Sequence, residues 1–476
     1  MTVANSGIKI VQRPLDVHVP LIVVGAGACG LVAALAARDK GAEVLVLERD
    51  AVPRGSTAMS SGLIPAAGTR WQDASDVKDT PALMASDIQD KNDHQADRAI
   101  VDCVALRSAS TLHWLADSHG IDFSLVTGFL YPGHCVMRMH GTPRRTGDEL
   151  MGALTSAAQN AGVDIVCDAQ VAALLQDTDG AVCGVEIRRP DGSSEQIGGN
   201  AIILASSGFG GNAELVRQNM PAMGEAVYYG HAGNQGDALR WGQALGAQTL
   251  DLGAYQGHGS LAWPHQTLVT WSVMMMGGIQ INSLGERFSN EHEGYSEQAR
   301  RVLEQPGGIA WNVYDSRIHQ AAMAFEDYRM AQTTGAVIHA DSIEELALGM
   351  QVPLGPLTDT LTRTWALAEG HDSPRSADPF GRSFDRSQKL VAPFCAIRVT
   401  GALFHTQGGL AVDTQARVLD QNGRPIPGLY AGGGAARGVS GAGDSGYLSG
   451  NGLLAAVMLG ATAGENAALQ VLQKQC

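Results

Sequence analysis

The stretch Pro20–Asp50 constrains this chain more than any other. An apolar run, Leu21–Val24, meets Gly25-x-Gly27-x-x-Gly30. A small-residue helical stretch, Leu31–Arg38, leads to Gly41, a second apolar run, Val44–Leu47, and then Glu48. This order predicts strand, glycine turn, helix, strand and acid. Gly25 allows the tight turn, Gly27 lets a pyrophosphate approach the backbone, and Gly30 lets helix and strand pack closely. The helix N-terminus offers unpaired N–H groups and a positive dipole end to phosphates. Glu48, at the end of the second strand, is placed to accept from ribose hydroxyls. An acid there favours an adenosine ribose without phosphate, hence FAD or NAD over NADP.

The rest of the composition fits a large enzyme around that element. With 476 residues the chain is long enough for two domains and a sizeable core. It is 45% hydrophobic with 59 glycines, and its mean hydropathy is −0.03. A net charge of −15 argues against nucleic acid or an anionic membrane as partner. No run of about 18 apolar residues predicts a membrane span. Residues 1–19 lack a signal-peptide pattern and read as a short tail. Seven scattered cysteines with no CxxC pair predict a reduced, cytoplasmic protein with no metal site.

Further motifs follow in order. Arg54–Gly62 (RGSTAMSSG) is a glycine- and hydroxyl-rich loop directly after the ribose acid, so Ser56 and Thr57 are candidates to reach a pyrophosphate or a flavin ring. Residues 76–120 read as helical. Arg144 and Arg145 precede a helix capped by Thr146, and read either as solvated charges or as a hold on an anionic group. Strands are expected at Asp164–Cys167 and Ala181–Arg189. Ala201–Asn212 (AIILASSGFGGN) reads as a buried strand entering a glycine turn, and Gly230–Gly236 as a turn with Asp237 as helix cap. From about 256 to 402 aromatic, Met and His residues become frequent, which predicts a second domain inserted into the first. Met276–Phe288 reads there as a hairpin. Nucleotide-type texture returns from 403, ending in Gly438–Gly452 (GVSGAGDSGYLSGNG) and a small-residue helix, Leu453–Ala468.

The set GSTAMSSG, ILASSGFGGN, GGIQINSLGERFSNE, FHTQGGLAVDTQARVLD and GLYAGGG through SGNGLL resembles the fumarate reductase/succinate dehydrogenase flavoprotein superfamily, which includes the 3-ketosteroid Δ1-dehydrogenases. The resemblance spans nearly the whole chain. It implies an α/β fold: a Rossmann-like FAD-binding domain (residues 1–255 and 403–476) interrupted by an α+β substrate cap (256–402). It also implies FAD. The residues expected to hold it are Gly25, Gly27, Ala28, Gly30, Glu48, Arg49, Gly55, Ser56, Thr57, Ser61 and Gly62, then Ala205, Ser206, Gly208 and Asp237, and finally Gly433, Gly434, Ser449, Gly450, Asn451 and Leu453. Some members attach FAD through a histidine just after the hydroxyl loop. None stands in Thr57–Trp71, so non-covalent FAD is expected. Reductases carry a glutamate where this chain has Gly434, a departure that removes one ribitol contact. The last helix is expected to aim its N-terminus at the flavin, where a positive dipole stabilises the reduced form.

Members of this superfamily exchange a hydride at one carbon and a proton at its neighbour. Fumarate reductases read GxHGANRLGGN in the C-terminal loop, with an arginine gripping a carboxylate. Here the loop has no arginine and carries Tyr447 three residues before Gly450. In ketosteroid dehydrogenases a tyrosine hydroxyl and a glycine N–H of this loop bind the ketone oxygen, at a spacing one residue longer. Tyr295, in Asn290–Tyr295 (NEHEGY), falls near the position of their tyrosine base, which needs a lowered pKa. Tyr131 is a candidate to hydrogen-bond it. His258 and His405 resemble the substrate-binding histidines of fumarate reductases, and Met274–Met276, Trp263 and Trp271 are candidates to line an apolar cleft. The expected function is FAD-dependent α,β-dehydrogenation of a cyclic ketone, a 3-ketosteroid or an oxo compound such as 4-oxocyclohexanecarboxylate, with an unknown electron acceptor. The alternative is a fumarate-reductase-like enzyme on a dicarboxylate, using His258, His405 and Arg317 or Arg398. A third possibility is a flavin-binding protein without chemistry.

Overall fold

The computed structural model describes residues 7–370 and 377–473; Cys476 and the first six residues lie outside that range. A six-stranded sheet carries the cofactor half. Its spatial order is Arg417–Leu419, Pro425–Ala431, Ala201–Leu204, Leu21–Val24, Val44–Leu47 and Asp164–Val166. All neighbours pair in parallel except the first two. Leu21–Val24, Val44–Leu47 and Ala201–Leu204 are buried along their whole length, as continuous apolar runs in a covered parallel sheet must be.

The helix after the first strand runs Ala28–Asp39, starting three residues before the apolar pattern indicates, because Gly27 serves as its N-cap. It packs against the last helix, Asn451–Gln473, across small residues. A Cβ on Gly460 would lie 2.5 Å from the Cys29 carbonyl oxygen, and one on Gly464 2.0 Å from that of Ala33. By length and composition Asn451–Gln473 could cross a membrane, although it contains no unbroken apolar run of that length, but 67% of that window is buried inside the fold.

The second sheet is seven-stranded. Its spine is the long strand Phe394–Thr406, which pairs with Tyr255–Ala262, Ile309–Asp315, Val337–Ala340 and Val227–Tyr228. Helix Tyr295–Leu303 packs across this sheet, with the side chain of Ser296 accepting from Gly257 N. Helices Pro81–Lys91 and Arg98–His119 occupy the stretch read as helical. Thr146 caps Gly147–Asn160 as expected, accepting from Glu149 N.

Several local expectations are corrected. Of the stretch 1–19, the described residues 7–19 are not simply a tail, because Ile8–Ile10 pairs in parallel with Leu174–Gln176. Asp237 is the first residue of its helix, and Gly236, in left-handed backbone, is the cap. Met276–Phe288 is not a two-stranded hairpin. Ile279–Ile281 pairs with Trp311–Val313 instead, leaving a single bridge to Arg287.

Candidate active site

At the carboxyl ends of the parallel strands a cleft opens between the first glycine turn, the hydroxyl loop and the 231–237 turn. Gly25 has φ +103°, a conformation closed to most side chains. A Cβ on Gly30 would sit 1.8 Å from the Gly25 carbonyl oxygen, so the helix can leave the strand at this angle only with glycine there. Glu48 is buried, and its carboxylate accepts from Ala26 N at 2.9 Å and Asp50 N at 3.0 Å. The Thr57 hydroxyl accepts from Ala28 N at 3.3 Å, tying the hydroxyl loop to the helix start.

The opposite wall was missed in the sequence. His231 N and the Asn234 amide both donate to the Ser56 hydroxyl, at 3.0 and 2.9 Å, and Arg49 donates to the Gly233 carbonyl at 2.8 Å. The signal was the glycine turn Gly230–Gly236, recognised as a turn but not as a wall of the cleft. Ala205, Ser206, Asp237, Gly433 and Gly434 also line this space, whereas Gly208 and Gly30 do not and act in packing. A Cβ on Gly208 would meet Thr406 Oγ1 at 1.9 Å. Gly434 has no room for the reductases' longer residue in this backbone, since its Cβ would lie 2.9 Å from Gly208 N.

The cleft fits a dinucleotide. A Cβ on Gly55 would touch only Gly27 Cα, at 3.9 Å, and one on Gly27 only Thr57 Oγ1, at 3.7 Å, so bare backbone faces open space on both sides. The Ser206 hydroxyl is buried there with no partner.

A second cavity continues from the first, sharing Ser56, Thr57, Ser207, Gly434 and Ala456 as walls. Here Ser61, Gly62, Gly450 and Leu453 appear, together with Tyr131, His258, Tyr295, His405 and Tyr447. Residues from six distant segments therefore meet. Tyr295 stacks on His258 at 4.9 Å between ring centroids and lies 6.1 Å from Tyr447; His405 lies 5.9 Å from Tyr447. Trp271, Phe404 and Tyr229 close the apolar wall. Met274–Met276 and Trp263 do not line it; Met274 is buried in the core of the second sheet instead. Ser449 and Asn451 are buried behind the lining.

The electrostatics of this cavity are those of neutral donors. His258 Nδ1 accepts from Ser260 N at 3.2 Å, which leaves the Nε2–H for the cavity. His405 Nδ1 lies between the Gln407 side-chain amide, at 2.8 Å, and the Thr406 carbonyl oxygen, at 3.2 Å. Burial lowers both histidines, to about 3 and about 4, so both are neutral near pH 7. Among the described residues no arginine or lysine lines the cavity. Arg317 pairs with Asp315 and bonds the Met276 carbonyl, and Arg398 projects outward from its strand. Arg144 pairs with Glu326.

Two tyrosine expectations change. Burial raises Tyr295, to about 12, rather than lowering it. The groups that oppose the rise are the Ser449 and Tyr447 hydroxyls and Gly450 N–H. Tyr447, not Tyr131, is the tyrosine that favours the ionised form of Tyr295. Tyr131 is a close neighbour whose own ionisation burial suppresses, with Tyr295 adding to the effect. Tyr447 is also raised by burial, and its hydroxyl lies 3.4 Å from Gly452 N at the start of the last helix.

A dinucleotide cleft thus continues into an aromatic cavity at the N-terminus of the last helix. The family model described as FAD binding domain matches residues 20–453, and the chain belongs to that family. It is 28% identical over 458 residues to the probable fumarate reductase Ifc3 of Shewanella frigidimarina, covering 95% of this chain and 75% of that protein. The open conformation of a flavocytochrome c3 fumarate reductase superposes with TM-score 0.80 at 28% identity, covering 96% and 79% of the two chains. The 3-ketosteroid-delta4-(5alpha)-dehydrogenase of Rhodococcus jostii RHA1, solved with 4-androstene-3,17-dione, superposes with TM-score 0.76 at 25% identity, covering 96% and 98%. The fold is thus the fumarate reductase/succinate dehydrogenase type, the cofactor is FAD, and the protein is an FAD-dependent oxidoreductase acting on carbon–carbon bonds.

Proposed function

We propose that the enzyme removes two hydrogens from the α and β carbons of a cyclic ketone, a 3-ketosteroid or an alicyclic oxo compound such as 4-oxocyclohexanecarboxylate. The observation that carries this reading is the donor set: tyrosine hydroxyls, the His258 N–H and a helix N-terminus, with no arginine or lysine among the described lining residues. Neutral donors suit a carbonyl oxygen that gains charge only during reaction, and serve a resting dicarboxylate poorly.

In this reading the Tyr447 hydroxyl and Gly450 N–H donate to the ketone oxygen. Their pull acidifies the α C–H, and the Tyr295 oxygen takes that proton. Bound FAD supplies the acceptor for the β hydride, and the product is the enone. Trp271, Phe404 and Tyr229 keep water from the developing enolate. Residues 256–402 act as the cap over the cofactor domain, and the setting is the cytoplasm.

The rival dicarboxylate reading draws on the names of the relatives and on His258 and His405. It lacks a positive charge to hold two carboxylates, since both histidines are held neutral. The test is deuterium exchange. Oxidised enzyme incubated anaerobically with 4-oxocyclohexanecarboxylate or a 3-ketosteroid in D2O should label the α carbon, and Tyr295→Phe should slow labelling about 10²-fold or more. Labelling that is unchanged in Tyr295→Phe would remove Tyr295 as base.

A further inference from the structure

The two cavities meet at a neck walled by the five residues common to both: Ser56, Thr57, Ser207, Gly434 and Ala456. The first cleft fits the nucleotide end of FAD. The flavin end has to reach the second cavity to exchange hydride with a carbon substrate there, so it meets the neck.

Three of the five neck residues carry a hydroxyl. That of Ser56 receives the His231 N–H at 3.0 Å and the Asn234 amide at 2.9 Å. That of Thr57 receives the Ala28 N–H at 3.3 Å. Both hold the walls of the cleft together. Ser207 makes no hydrogen bond to any described residue. A Cβ on Gly434 would come 3.2 Å from Ser207 Oγ, so this hydroxyl stands against bare backbone on the shared wall.

The backbone at Ser207 is a second, independent observation. Ten non-glycine residues among those described have φ between +52° and +65°, and Ser207, at +65°, is the only one of them that lines either cavity. Glycine adopts this conformation readily and a residue with a Cβ does not. The turn is pinned on both sides of Ser207. Ala205 N donates to the Val24 carbonyl at 2.9 Å, and the Gly208 carbonyl accepts from Gly236 N at 3.1 Å. The chain therefore keeps a strained serine where the turn alone favours glycine, and strain of this kind gathers at ligand sites. The sequence reading assigns Ser206 and Gly208 to the cofactor and passes over the residue between them.

We propose that the Ser207 hydroxyl donates a hydrogen bond to the flavin end of bound FAD, and that the left-handed backbone is retained because it aims this donor into the neck. The inference rests on the second cavity being the substrate side, as in the proposed function, but not on which substrate reacts.

The test uses FAD-loaded enzyme without substrate. Ser207→Gly removes the hydroxyl and suits the backbone, so its folding is not at risk. Ser207→Ala removes the hydroxyl and keeps the strain. The flavin absorption bands are recorded first, and FAD release on dilution is then followed by the rise in flavin fluorescence. Both variants should release FAD about five- to tenfold faster than the unaltered enzyme, as expected for one lost hydrogen bond. Both should show the same displacement of the flavin bands. A Ser207→Gly enzyme that holds FAD as long as the unaltered one, or longer, would overturn the proposal. So would faster release with unmoved flavin bands, because the contact would then lie away from the flavin. If both variants behave as expected and no ketone reacts, the functional reading fails alone; if ketones react and Ser207→Gly retains FAD, only this assignment fails.

Discussion

In the nucleotide cleft the groups that face the ligand are mostly backbone: the turn at Gly25, the bare Cα atoms of Gly27 and Gly55, and the amides at the start of Ala28–Asp39. In the neighbouring cavity they are side chains, carried from six separated segments and set by packing between aromatic rings. The first region depends on where bare backbone lies and asks little of side-chain chemistry. The second tolerates changes of shape but depends on where a few protons sit. Backbone sites should therefore fail in assembly when mutated, and side-chain sites should fail in chemistry while the holoenzyme persists.

The largest effect that can break this contrast is Gly30→Ala. The new methyl would meet the fixed Gly25 carbonyl. A loss of about 3 kcal/mol or more in stability is expected, with little FAD retained on purification. A stable, yellow Gly30→Ala protein would show that the turn is not rigid. Next, Tyr295→Phe should keep FAD and its thermal midpoint while turnover of a reactive ketone falls about 10²–10⁴-fold. Loss of FAD instead would mean that Tyr295 belongs to the assembly half. Glu48→Gln should weaken FAD by about tenfold, or ~1.4 kcal/mol, with kcat unchanged at saturating FAD. Isothermal titration of the apoprotein measures this, and an altered kcat would blur the division.

Within about half a pH unit below 6.5 the smallest effect is acid sensitivity. His258 is lowered to about 3, and His134 and His405 to about 4, against an ordinary value of 6.5. The unfolded chain therefore takes up these protons first as pH falls. Their contribution to stability is complete above about 6.5 and is lost progressively as pH drops towards 3–4. The thermal midpoint should be level above pH 7 in this respect and fall steadily below 6.5. A His405→Gln variant should soften that slope, and an unchanged slope would show that His405 is not held neutral.

The cofactor half was legible because its instructions are local. Gly25, Gly27, Gly30 and Glu48 lie within one strand–helix–strand unit, and spacing alone fixes their roles. His231 and Asn234, in another segment, escaped notice because their contribution exists only once the 231–237 turn folds over Ser56. In the cavity, Tyr295, Tyr447, His258 and His405 were found through motif resemblance, but their mutual arrangement was not. Tyr131 was the expected neighbour of Tyr295, and only the folded arrangement brings the Tyr447 ring within 6.1 Å of it. The rise in the Tyr295 pKa was likewise out of reach, because burial is a property of the folded whole. Arg138 had no signature at all: its partners Asp79 and Asp87 lie 59 and 51 residues away, and it looks like ordinary loop charge until the fold brings them together.

The most direct test of the account is anaerobic mixing of purified enzyme with a 3-ketosteroid, cyclohexanone, 4-oxocyclohexanecarboxylate and succinate in turn, following the flavin absorbance. Bleaching by at least one ketone and not by succinate is the predicted result. If no ketone bleaches the flavin and fumarate reoxidises dithionite-reduced enzyme, the neutral-donor argument is contradicted and the cavity is a dicarboxylate site.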